Sequence, residues 1–187
     1  VSNKHPAQAT VQAVDQDWLD QVSPWLTGGQ KFAAMTVLPD RITGDKAVFR
    51  ADTAPLVKLL RAEGADIGFL PTPDQTFQSE YDATAAIFLA LLLNVVSNAA
   101  WDAFKLLVRT IRGRTLETGE PYREPEITMS VGITKEPDGS SVLWQKVSGP
   151  AGQVLDLAES IVQDYLSSGP RVNADEATPE AEPDSLP

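Results

Sequence analysis

Asn94, Asn98 and Asp102 follow one another at steps of four, and Lys105 and Arg109 roughly continue the line. On a helix that spacing puts the side chains on one face. It predicts a polar seam able to meet a ligand, a partner helix or a second copy. The competing expectation is the water-facing side of a core helix, since polar helix faces are usually solvated. Lys105, Arg109, Arg112 and Arg114 form a basic cluster suited to an anionic lipid surface or to RNA. Cations at the end of a helix also answer its negative pole. In a chain this acidic they could instead hold its own tail.

Catalytic groupings are sparse. His5 is the sole histidine and no serine stands in a G-x-S-x-G setting, so a Ser-His-Asp triad has no sequence support. Cysteine is absent, which removes thiolate nucleophiles, disulfides and Cys-based metal sites. Neither a Walker-type loop nor a dinucleotide-binding glycine motif occurs. Ser148-Gly149-Pro150-Ala151-Gly152 opens a helix where an anion could sit, but Pro150 removes a donor and ordinary helix entry explains the segment. Asp138 lacks the dense oxygen spacing of a calcium loop. Carboxylates are numerous, yet no spacing singles out an acid–base pair. Trp18, Trp25, Trp101 and Trp144 read as core anchors. The expectation is a chain with no catalytic, cofactor or metal residues.

The elements that carry these residues follow from periodicity. Val11, Val14, Trp18, Val22 and Trp25 recur at helical steps and predict a helix over 11–26, stopped by Gly28-Gly29. Phe32 to Leu38 and Ala47 to Phe49 read as strands. Asp52 or Thr53 caps a helix with Pro55 in its first turn, Leu56, Val57, Leu59 and Leu60 on its buried face, and Gly64 at its end. Asp66 to Leu70 follows as a strand, so a βαβ unit is expected here, and Pro71 to Gln78 reads as a loop. Ile127, Met129, Val131 and Ile133 alternate with Thr128, Ser130, Gly132 and Thr134, the mark of a half-buried strand. Pro137-Asp138-Gly139 turns it into a hairpin with Val142 to Val147. A last helix carries Val154, Leu155, Leu157, Ala158, Ile161, Val162 and Leu166 on one side.

Ala83 to Trp101 carries no charge and contains Ile87-Phe88-Leu89-Ala90-Leu91-Leu92-Leu93. It predicts one long apolar helix that starts near the caps Ser79, Glu80 and Asp82 and runs on to Gly113. Its length approaches the roughly 20 apolar residues of a membrane span. Asn94 and Asn98 inside it oppose insertion, because unsatisfied amides in hydrocarbon are costly. A buried core helix is therefore the leading expectation, and contact with a membrane through this segment the alternative.

The net charge of −11 repels phosphate backbones, so nucleic acid is not an expected partner. The first residues show no secretory signal pattern, and a cytoplasmic location is expected. Residues 1–10 read as a flexible arm, 11–168 as one domain, and 169–187 as a disordered acidic tail rich in Pro, Ala, Asp and Glu.

The stretch KLLVRTIRGR, then ITMSVGITKEPDGSSVLWQKVSG, then QVLDLAESIV resembles in layout the small effector-associated components of bacterial conflict systems. That resemblance implies a non-catalytic accessory coupling an effector to a partner protein, and it carries no catalytic residue over. The sequence thus predicts a single α+β domain, with a mixed or antiparallel sheet packed on one long apolar helix and two shorter amphipathic ones. The expected function is a regulatory accessory that binds another protein. Its interaction residues would be Asn94, Asn98, Asp102, Lys105, Arg109 and Arg112. The alternative is a membrane-inserting effector.

Overall fold

A computed structural model describes residues 8–27, 31–78, 87–94, 98–116, 125–134 and 142–168. The elements run β1 (Thr10–Gln12), α1 (Gln16–Leu26), β2 (Met35–Val37), β3 (Arg41–Thr43), β4 (Lys46–Arg50), α2 (Thr53–Ala62), β5 (Ile67–Phe69), β6 (Asp74–Gln78), β7 (Ile87–Leu93), α3 (Asn98–Leu116), β8 (Glu126–Thr134), β9 (Val142–Pro150) and α4 (Ala151–Ser168). A six-stranded sheet has the order β1-β9-β8-β7-β2-β5, and a three-stranded sheet the order β3-β4-β6. The architecture is α+β, as the residue pattern implies. The larger sheet is mixed: β7–β8 and β2–β5 are parallel, and its other pairs antiparallel.

The hairpin forms where alternation places it. β8 and β9 pair from Glu126 opposite Pro150 to Thr134 opposite Val142. Successive side chains of a strand point to opposite faces. Ile127, Met129, Val131 and Ile133 are therefore together on one face, beside Leu89, Leu91 and Leu93 of β7 and Val147 of β9. All of them are buried, in one core with Phe104, Leu107, Val108 and Ile111 of α3 and Val154, Leu155, Ala158 and Val162 of α4. α2 follows most of its sequence signals, although Asp52 stands at the N-cap without a side-chain capping hydrogen bond. Thr53 Oγ1 donates to the Arg50 carbonyl at 2.6 Å, Leu56, Val57 and Leu60 are buried, and Gly64 at φ +90° stands just past the end. Leu59 is on the exposed side instead of the buried face expected for it.

Several expectations are corrected. The long apolar helix does not exist: Ile87–Leu93 is strand β7, and the helix that follows is described over Asn98–Leu116. β7 lies between β2 and β8 and is paired on both edges, with Leu91 opposite both Val37 and Val131. Leu91, Leu92 and Leu93 are buried in succession, and a central strand covered on both faces over such a stretch reads as an apolar run without alternation. Among the described residues no helix is long and apolar enough to cross a membrane. α3 instead links the parallel strands β7 and β8, a connection that requires a crossover.

The first helix starts later than its periodicity suggests. Asp15 Oδ1 accepts from the Trp18 amide at 3.2 Å and caps it, and Thr10–Gln12, assigned by sequence partly to an arm, is an edge strand on β9. Asp74–Gln78, expected as loop, pairs in parallel with β4. The βαβ expectation joined two strands that lie in different sheets, since β4 pairs with β6 and β5 with β2. The expected caps Ser79, Glu80 and Asp82, the turn at Pro137-Asp138-Gly139, His5 and the tail 169–187 lie outside the described residues.

Candidate functional site

The other face of the six-stranded sheet is divided. Toward one end Trp144 of β9 lies against Gly132 of β8, where a Cβ would come within 2.5 Å of the indole. Trp18 of α1 meets Trp144 edge-on at 5.5 Å and donates its Nε1–H to the Pro39 carbonyl at 2.9 Å. These contacts fix α1 over that half, with Val22 and Leu26 buried. Trp25 and Trp101 also pack on the core. All four tryptophans thus serve packing, as expected.

The remaining half is open. An open cleft of about 310 Å³ lies over it. Register builds its floor: Ala90 pairs with Ser130, Ser130 with Lys146, and Lys146 with Gln12. The next row runs Phe88, Thr128, Ser148 and Thr10, and here Thr128 Oγ1 donates to Ser148 Oγ at 3.2 Å. The walls are Val14, Asp15 and Trp18 from the start of α1, Pro39 and Asp40 after β2, and Arg50 at the end of β4. The wall after β2 is anchored by Leu38, whose amide donates to the Ala90 carbonyl, and by Asp40, whose amide donates to the Val48 carbonyl, both at 2.9 Å. The Arg50 guanidinium stands 5.0 Å above the centre of the Phe88 ring and its Nε lies 3.5 Å from Asp52. Phe88 remains 38% exposed. The cleft therefore offers an aromatic face backed by a cation, hydroxyl and ammonium donors on its floor, and carboxylate acceptors on its walls.

The seam predicted from sequence is only partly assembled. Asn98, Asp102, Lys105 and Arg109 are exposed on α3. Asp102 and Lys105 pair at 2.9 Å, and the Lys105 ammonium also lies 5.5 Å from the Trp101 ring centre. Asn94 is not on the helix. It ends β7, where its amide donates to the Ala34 carbonyl at 2.9 Å, and its buried Oδ1 has no hydrogen-bond partner among the described residues. Arg112 turns away from the seam to Asp156 and Glu159 of α4, the latter at 3.6 Å. The basic cluster is thus partly spent within the molecule, as a clasp between two helices. At the helix entry after β9, the Ala151 amide already donates to the Pro125 carbonyl at 2.9 Å, in keeping with ordinary helix entry. Among the described residues no group of three or more His, Cys, Asp or Glu could hold a metal ion.

Sequence reasoning missed the cleft because its residues come from six separate segments. The available signal was the polar half of the β8 alternation, Thr128 and Ser130, which marks a face without saying whether water or a partner covers it. No protein-family model matches the chain, and no curated protein or solved structure is detectably similar to it.

Proposed function

We propose that this chain is a non-enzymatic interaction module, a regulatory accessory acting in the cytoplasm, and that another protein docks on the open half of its larger sheet. The observation that supports this reading is Phe88. It lies on a strand paired along both edges, yet its ring stays partly exposed under Arg50 beside an open cleft. Aromatic residues and arginine are the side chains most enriched at protein interfaces and at their energetic centres. The neighbouring charges also have structural work: Asp15 caps α1, and Arg50 is held by Asp52 and the Phe88 ring. An overall charge of −11 favours a protein over a nucleic acid as the partner. The accessory role is the one that the conflict-system layout, carried here by the end of α3, β8, β9 and α4, also implies.

A photo-crosslinking amino acid placed at position 88 tests this in cells of the native host. A discrete protein adduct is expected from position 88 and not from position 109 on α3. Phe88→Ser should then weaken binding of the purified adduct partner at least about tenfold, as loss of a buried aromatic anchor does. Equal labelling from both positions would falsify the assignment of the docking face.

A further inference from the structure

Of the charged groups lining the cleft, Asp15 accepts from the Trp18 amide, Arg50 is tied to Asp52 and Phe88, and Asp40 has a partner of its own. Lys146 differs. Among the described residues its ammonium has neither an ion pair nor a hydrogen bond, although the residue is half-buried on the floor of the cleft. Its cross-strand neighbour Ser130, also half-buried and facing the cleft, likewise has an uncommitted hydroxyl among those residues. Directly opposed residues hold their Cβ atoms about 5 Å apart, so an ammonium and a hydroxyl can converge on one oxyanion. An ammonium and a hydroxyl that are not engaged elsewhere among the described residues are the donors that a carboxylate oxygen would accept from.

We propose that Lys146 and Ser130 form a carboxylate-binding subsite, filled by an Asp or Glu side chain of the docked protein. The inference rests on the docking reading above and names what the floor of the cleft takes. A carboxylate there would complete a charge-assisted pair with Lys146 and accept from the Ser130 hydroxyl. The Phe88 ring beside it would cover the methylenes of the same segment.

The test is a backbone-amide NMR titration of the full chain with three probes: acetyl-Gly-Glu-Gly-amide, acetyl-Gly-Gln-Gly-amide and inorganic phosphate. The Glu peptide should shift the amides of Ala90, Ser130 and Lys146 saturably, and the Gln peptide should not. Lys146→Met, which keeps the apolar stem, should weaken the Glu peptide at least about tenfold, the scale of one charge-assisted bond, with the remaining spectrum unchanged. Equal shifts from the Glu and Gln peptides, or undiminished binding by K146M, overturn the subsite. Shifts from phosphate alone also overturn it and name a different anion. The crosslink from position 88 reads separately. An adduct there without any response to the Glu peptide removes the subsite and keeps the docking face, and the reverse result removes the docking face and keeps the subsite.

Discussion

The two faces of the six-stranded sheet are made by the same strands and have opposite fates. On one, Ile127, Met129, Val131 and Ile133 are sealed under α3 and α4. On the other, one residue along, Thr128, Ser130 and Ala90 meet an open cleft, and only the Gly132–Trp144 end is roofed by α1. A period of two lets one strand supply core and surface at once. A shift of pairing by one residue would exchange them, so the dry face fixes the register that the wet face depends on. The difference teaches that the site is positioned by the core beneath it, and that a change on the covered face should act on folding while a change over the cleft should act on binding.

The strongest way to break this comparison is Phe104→Ala. Phe104 is fully buried in the core under the covered face. Truncating a buried phenylalanine costs about 3–5 kcal/mol through lost burial and the remaining cavity. Urea denaturation should show a midpoint that falls with an unchanged slope. A loss below about 1 kcal/mol, the level of a surface change, would mean that α3 does not seal this face.

Next in size is Gly132→Ala, which probes the border between the roofed and open halves. The new methyl would stand 2.5 Å from the Trp144 ring, within reach of no real contact. The indole must move, and with it the edge contact to Trp18. Overpacking of this kind costs about 1–3 kcal/mol. A shifted tryptophan emission spectrum should accompany the lower stability. An unmoved spectrum together with full stability would show that α1 is not held over the sheet by this pair.

How much of this was legible depends on what covers each strand. β8 was readable because it has a dry side and a wet side, so its residues alternate. α4 was readable for the corresponding reason, with Val154, Leu155, Ala158 and Val162 facing the core and Asp156 turned outward to Arg112. The second half of β7 is covered on both faces, so Leu91, Leu92 and Leu93 are all buried and alternation is lost, and the strand is built largely from leucine, which also suits helices. The remaining hint was length: the apolar run Ile87–Leu93 is short for a helix and closes on Asn94, within the range where a buried strand competes. Misreading it carried Asn94 onto a helix and so invented part of the seam. β6 gave little hint, because its residues are mostly polar and its place in the sheet comes from pairing with β4. The cleft was the least legible feature. Its residues Asp15, Asp40, Arg50, Phe88, Ser130 and Lys146 are gathered by long-range strand order, which no local pattern encodes.

The smallest expected effect belongs to what survives of the seam on α3. Asn98 and Arg109 are exposed, and no hydrogen bond or ion pair joins either side chain to the described residues. The paired variant Asn98→Ala, Arg109→Ala should therefore change stability by no more than about 0.5 kcal/mol, the usual size for surface substitutions. Asp102 and Lys105 are left in place so that their ion pair, a surface contact worth at most about 1 kcal/mol, does not confuse the result. The informative readout is binding. If the partner docks over the cleft, this variant should keep full affinity for the protein captured from position 88, because α3 packs on the opposite face of the sheet. A tenfold loss with unchanged melting would move the docking surface to α3 and leave the cleft as a solvated gap beside α1. Full affinity, set beside a loss for Phe88→Ser, would place recognition on the side of the sheet that its own core leaves uncovered.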